Sequence, residues 1–192
     1  MNMLLDIDHS KEAAWQAVKH ELHRGALDRK HPFRFVSLST HGAQGVQARW
    51  VVLRKLSQDL RFFMYSDLRT QKVADLETHP QAHLLFYHGR KKVQIRCEGE
   101  IRLHQGDELS QNQWEHVQGI GTKAYTPTIA PGTEINHPKE AHQWSPAWGG
   151  RFFCVLEFLP AKFDVLQLNQ MEHVRICFRK ADGKWVKTWI AP

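Results

Sequence analysis

The sequence predicts an α+β domain in which many short antiparallel strands, with helices inserted between them, form a sheet that closes into a barrel. Three observations predict it. Runs rich in β-branched and aromatic residues recur along most of the chain after Pro32. The links between them at 41–45, which contains two glycines, and at 57–59 read as hairpins, so neighbouring strands run antiparallel rather than through βαβ crossovers. A length of 192 residues suits one substantial core and is short for two ordinary domains with a linker, so 1–192 is read as one unit.

Taken in order, residues 10–24 form an amphipathic helix within an N-terminal segment of about residues 1–30. Ser10 can cap it, Ala14, Val18 and Leu22 recur every four residues, and Gly25 is read as its stop. Strands are predicted at 33–39, 46–56, 60–66, 82–88 and 93–103. A short helix at 68–78 interrupts them, with Asp67 placed to cap it and His79 before Pro80 ending it. Another helix is predicted at 106–117, then an ordered but irregular loop over 119–138. The last third, 139–192, returns to strands at 151–159, 162–168, 173–179 and 184–190, the final pair turning at Asp182 and Gly183.

Composition narrows the classes. With 42% hydrophobic and 24% charged residues the chain is not mainly disordered. Twenty-six Lys and Arg against 20 Asp and Glu give +6, a surplus that attracts anions and leaves nucleic acid, an acidic membrane surface and phosphorylated small molecules all open. Cys97, Cys154 and Cys177 lack metal-type spacing and read as core fillers, and residues 1–11 carry no apolar signal core, so a reducing cytoplasm is the expected location. Even the apolar run 152–159 is interrupted by Glu157, so no membrane span is expected.

Three constellations carry chemistry. The first is Arg49, Trp50, Val51, Val52, Leu53 and Arg54, where an arginine inside an apolar strand either reaches solvent at a sheet edge or meets an anion. The second runs from Tyr65 and Ser66 through Asp67 to Thr70, Gln71 and Lys72. Backbone N–H groups, a hydroxyl and an ammonium converge there on a helix N-terminus suited to phosphate, the alternative being a well-capped surface helix. In the third, Gln94, Arg96 and Glu98 share one strand face and Ile95, Cys97 and Ile101 the other, and Gly99 marks a bulge; a half-buried strand explains this without any function.

In this order the three segments resemble the flavin split-barrel family that includes pyridoxamine 5'-phosphate oxidase. The family pattern has an Arg-containing apolar strand ending in Lys or Arg, then Tyr with Thr or Ser, a Ser-Arg-Lys-like turn and a Gln-Val-Arg-Val-Glu-Gly-like strand. Residues 160–167 and 171–175 resemble the family's later motifs more loosely. The resemblance implies a six-stranded, antiparallel, Greek-key split barrel with flanking helices, completed by the C-terminal strands.

It further implies FMN as cofactor in an oxidoreductase of unknown small-molecule substrate. Arg49 and Lys72 would bind the phosphate, helped by Thr70 and Gln71, with Tyr65 and Ser66 lining the same cofactor. The stretch Trp50, Val51, Val52, Leu53, Arg54 would run along the ring, Gln94 would hydrogen-bond it and Arg175 would reach it, while His173 would contact the substrate. The flavin would sit between the subunits of a homodimer. Leu166 and Met171 stand where the family has a tryptophan and a phosphate-binding arginine, and 118–122 replace its Arg-Pro-Arg-x-Ser stretch, so the chain reads as a divergent branch whose substrate is not pyridoxamine phosphate.

Of the thirteen histidines, His20 and His23, one helical turn apart, and His137 and His142, near the long loop, lack the further ligands a metal site needs and read as solvated, and no metal is expected. Trp144 and Trp148 read as core, or as cover for a flavin or a subunit interface. Two rival functions are a non-catalytic flavin or electron-transfer module and, behind it, a nucleic-acid-binding barrel stacking bases on Phe35, Trp50 and Phe63.

Overall fold

Helix α1 (Lys11–Leu27) buries Ala14, Trp15, Val18 and Leu22 on one face, and Ser10 Oγ accepts from the Ala13 N–H to cap it. Gly25 does not stop it. A Cβ at that position would come within 2.6 Å of Phe33 Cβ, so the glycine allows the last turn to pack against the chain entering the first strand. The computed structural model describes residues 3–192 except Gln44 and Gln118, and for Ile120 the backbone only.

After a 3₁₀ turn at Pro32–Arg34, which takes up the start of the expected first strand because Pro32 sits at its head, the strands are β1 (Phe35–Gly42), β2 (Gly45–Val52), β3 (Lys55–Leu56) and β4 (Phe62–Asp67). Helix α2 (Gln71–Thr78) leads to β5 (Gln81–His88) and β6 (Val93–His104), and α3 (Glu108–Glu115) precedes the long loop. β7 (Phe153–Gln167), β8 (Val174–Ala181) and β9 (Lys184–Trp189) complete the chain. Both expected hairpins form, β1 with β2 and β3 with β4, although Gln44 in the first link lies outside the described residues.

All ladders among the described residues are antiparallel, in the order β2-β1-β5-β6-β7-β4-β3, with β8 and β9 continuing from β7. The stretch expected as one strand at 46–56 is bent at Leu53 and Arg54, so that β2 pairs with β1 and β3 with β4. This bend closes six strands into a barrel, with β2–β3 counting as one, and leaves β2 and β4 adjacent but unpaired along their remaining length. That gap is the split.

The strands expected at 151–159 and 162–168 are one strand, β7, passing through Pro160. Its ladder with β6 shifts register between Glu98 and Gly99, as the glycine implied. A side chain at Gly99 would overlap the Leu159 carbonyl oxygen, so only glycine lets the two backbones close there. The barrel interior holds Phe62, Phe86, Phe158, Phe163 and Phe178, with Trp15 of α1 packed on Phe178 at 4.5 Å between ring centroids. A second apolar cluster, Phe63, Tyr125, Phe153 and Val155, lies outside the barrel under α3 and the loop. Gln167, fully buried, accepts from the Leu4 and Leu5 N–H groups and donates to the Lys91 carbonyl, tying the N-terminal segment to the barrel.

Candidate functional site

The split gathers side chains from four elements. Arg49 of β2, half-buried, donates from Nη1 to Thr40 Oγ1 of β1 at 2.7 Å, and Thr40 donates to the buried Asp75 of α2 at 3.3 Å. From the other side Lys72 Nζ donates to Ser66 Oγ of β4 at 3.0 Å and to Thr70 Oγ1 at 3.1 Å. Gln71 donates to Asp75 at 3.0 Å, which fixes the first turn of α2. Burial, and after it the neighbouring Arg49, hold the Lys72 ammonium below its ordinary value. Burial also lowers the Arg49 guanidinium, against the pull of Asp75. Two partly desolvated cations, Arg49 on the Thr40 hydroxyl and Lys72 on those of Ser66 and Thr70, make a locus that a phosphate would neutralise.

Asp67 does not cap α2. Thr70 occupies the N-cap position without a side-chain cap bond, and its hydroxyl donates back to the Asp67 carbonyl at 2.8 Å. The Asp67 carboxylate instead takes both a backbone and a guanidinium bond from Arg69, which also donates to the Pro127 carbonyl at 2.9 Å and lies over Phe152. Arg69 thus pins the long loop beside the site, a role that its position in the motif did not reveal because the partner is 58 residues away.

The pleat separates Tyr65 from Ser66. Ser66 faces the barrel interior with Lys72, whereas Tyr65 faces out, donating to Gln113 Oε1 at 2.7 Å and carrying the Arg54 guanidinium over its ring. Arg54 therefore stands with Tyr65 and not with Arg49. Along the first motif Val51 and Leu53 are buried in the core, Val52 is half-buried, and Trp50 is exposed on the opposite face from Arg49.

Gln94 and Arg175 lie on the outer sheet face, on either side of Leu166 across β6, β7 and β8. Arg175 spans both oxygens of Asp164 at 2.9 and 2.8 Å, and Arg96 also pairs with Asp164. Burial alone would raise the Asp164 carboxyl, but hydrogen bonds from Arg175 and Arg96 hold it below its ordinary value. The register places Phe35, Trp50, Leu85 and Tyr87, all exposed, on this same face. The structure does not bring Gln94 and Arg175 to the Arg49–Lys72 locus within one chain. His173, exposed, precedes β8 instead of starting it, accepts from the Asn169 N–H, and lines a shallow cavity with Arg175 and Trp189.

Phe63 is buried against Tyr125 and Phe153, so it offers no base-stacking platform; Phe35 and Trp50 remain exposed. Trp144 stacks on His142 under Lys123, and Trp148 packs on Phe152 beside Arg69, within the loop. Burial pushes the Cys154 thiol up to about 11 and raises that of Cys97 well above its ordinary value, so both are inert core groups. No helix among the described residues is long and apolar enough to cross a membrane.

One cluster has no counterpart among the sequence expectations: buried Glu21, His31 and His88 converge from α1, the 3₁₀ turn's N-cap and β5. His31 Nδ1 accepts from the Phe33 N–H and His88 Nδ1 from the Lys91 N–H, so each neutral ring carries its proton on the Nε2 that faces Glu21. A metal would need those Nε2 lone pairs. With Lys91 also on Glu21 at 2.7 Å, the cluster is an ion-pair network clamping α1 to the barrel.

The sequence model of the Pyridoxamine 5'-phosphate oxidase family matches residues 24–140. The chain belongs to the pyridoxamine 5'-phosphate oxidase family. A pyridoxine/pyridoxamine 5'-phosphate oxidase of Thermosynechococcus vestitus is 26% identical over 176 residues, covering 82% of this chain and 78% of that protein. A family member from Burkholderia cenocepacia is 36% identical over 73 residues, 38% of this chain and 34% of its own length. Among solved structures, a pyridoxamine 5'-phosphate oxidase-related, FMN-binding protein of Nostoc punctiforme superposes with a TM-score of 0.76 at 22% identity, covering 92% of this chain and 96% of that one. PhzG of Burkholderia lata, solved with tetrahydrophenazine-1-carboxylic acid, gives 0.73 at 14% identity over 93% and 92%. At these identities the structures establish the split-barrel fold, the α+β architecture of the pyridoxamine 5'-phosphate oxidase family.

Proposed function

We propose that the chain, as one domain, is an FMN-dependent oxidoreductase that acts as a homodimer on a small molecule. The observation that carries this reading is the convergence of Arg49 and Lys72, with the Ser66 and Thr70 hydroxyls, at the split of the barrel. The residues fit a phosphomonoester. Two cations from opposite sides of the split supply charge-assisted donors, and the first turn of α2 supplies backbone N–H groups beside them. Family membership and the FMN-binding Nostoc relative support the same cofactor.

When bound, FMN supplies hydride and electron transfer, which no side chain can perform. The protein's own part is positional. Arg49, Lys72 and Thr70 anchor the phosphate, and Trp50 to Leu53 give the adjoining edge of β2. Gln94, Arg175 and His173 serve from the outer face. Because Phe35, Trp50, Leu85 and Tyr87 are exposed on that face, a second copy covering it would carry Gln94 and Arg175 to the partner's split.

An absorbance spectrum of the purified protein between about 300 and 550 nm, with and without added FMN, tests this. Near-stoichiometric flavin bands are expected, and a colourless protein that takes up no FMN overturns the reading. Met171, exposed where the family resemblance implies an arginine, favours a second reading, a flavin protein that turns over no donor. Reduction of the bound flavin by a donor screen separates the two.

A further inference from the structure

Three cations from separate stretches of chain line one cavity at the C-terminal end of α1. Arg24 comes from the last turn of α1, Lys30 from the connection between α1 and β1, and Arg90 from the turn between β5 and β6. The cavity measures about 580 Å³, and the buried His31 and His88 form part of its wall. Among the lining residues Asp28 supplies the single carboxylate, and one of its oxygens already accepts from the Lys30 N–H at 2.8 Å.

The buried network behind the cavity adds to this surplus and does not absorb it. Glu21 accepts from Lys91 Nζ at 2.7 Å and meets His31 Nε2 at 2.9 Å, whereas Arg24 reaches it only through Nη1, at 3.4 Å. The two imidazoles bring no negative charge, so one carboxylate stands against both the Lys91 ammonium and the Arg24 guanidinium. The remaining N–H donors of Arg24 are left for a ligand. Lys30 and Arg90 are exposed, and among the described residues neither is in an ion pair. Charge of one sign around a concavity concentrates counter-ions there. Cations arriving from three segments are met together by an anion with charged oxygens on more than one side, and the volume is that of a small-molecule site.

The cavity is remote from the split. Ala82 pairs with Thr40, the partner of Arg49, and lies six residues from His88 along β5, about 20 Å. It also shares no lining residue with the cavity beneath α3, where Arg54, Tyr65 and His116 lie. Beyond the flavin reading and independently of it, we propose that the Arg24–Lys30–Arg90 cavity binds a diphosphate-type anion, which ties α1 to the β5–β6 turn.

Calorimetric titration of the FMN-saturated protein at low ionic strength with inorganic phosphate, inorganic pyrophosphate and ADP tests this. Pyrophosphate is expected to bind with a dissociation constant below about 1 mM and about tenfold or more tighter than phosphate. ADP binding at least as tightly as pyrophosphate assigns a diphosphate ester, and weaker ADP binding assigns the inorganic anion. Arg90→Gln and Lys30→Gln each weaken the binding by about tenfold, and Arg90→Lys, which keeps the charge, retains most of it. Pyrophosphate also raises the melting temperature of the parent, a rise that the Arg90→Gln, Lys30→Gln double variant loses. Absence of binding, phosphate binding as tightly as pyrophosphate, or binding unchanged in the double variant overturns the proposal. Binding lost in Arg54→Gln instead would place the anion beneath α3 and overturn it too. If the protein takes up no FMN, the titration is run on Arg49→Gln protein, so that the flavin reading and this one fail separately.

Discussion

Lys72 of α2 reaches across to β4, its ammonium 3.0 Å from Ser66 Oγ, so that the side of the split opposite Arg49 is fixed by a helix and a strand together. Arg49→Gln and Lys72→Gln are each expected to weaken FMN binding by about tenfold to a hundredfold, the loss of one charge-assisted hydrogen-bonding partner. Fluorescence titration with FMN, alongside circular dichroism to show the fold retained, measures it. Unchanged affinity in both variants would place the phosphate elsewhere.

Gly99→Ala is expected to destabilise the protein by about 1–3 kcal/mol, because the added methyl meets the Leu159 backbone and not a flexible side chain. Urea unfolding of the variant against the parent gives the number. A loss under about 0.5 kcal/mol would mean that the bulge relaxes without cost.

Stability should fall as the solution is acidified, and the network on α1 gives the order. Burial holds the His88 imidazole below its ordinary value, despite Glu21, with His31 and Lys91 acting in the same direction as burial. The Glu21 carboxyl is also lowered, since hydrogen bonds from Lys91 and His31 overcome its desolvation. In both cases the unfolded chain takes up its proton at higher pH than the folded one. Each contribution is therefore present above the unfolded value and lost as pH falls through the folded value. His88 acts first, below about pH 6.5, and Glu21 below about 4.3. Denaturation midpoints at successive pH values should show both phases, and His88→Gln should flatten the first. A slope between pH 7 and 5 that is the same in parent and variant would exclude His88 as its source.

The outer face offers a separate test. Trp50→Glu or Leu85→Arg puts a charge into a surface that a second copy would cover, and light scattering is expected to shift toward the monomer mass. FMN affinity should fall in parallel, since Gln94 and Arg175 would no longer reach a partner's split. A parent protein that is itself monomeric at micromolar concentration would end the dimer reading.

Elements and local motifs were legible in the sequence because they rest on short-range regularities: the four-residue spacing on α1, the strand alternation, the glycine at the bulge. What escaped depended on distant partners. Gly25 looks like a helix stop until Phe33 is seen against it, and Asp67 looks like a cap until Arg69 takes both its oxygens. The order of motifs brought Arg49, Ser66, Thr70 and Lys72 to one place. It could not show that Tyr65 bonds Gln113 while adjacent Ser66 bonds Lys72, nor that Glu21 meets two histidines from 10 and 67 residues further along.

The barrel is closed circumferentially through β3, a ladder of only two residues at Lys55 and Leu56. It is the weakest hoop in the ring, beside a β6–β7 ladder that runs twelve residues along β6. An anion held by Arg49 on one side and Lys72 on the other would act as a rivet across that seam. By linkage, its occupancy would raise the melting temperature in proportion to the logarithm of its concentration.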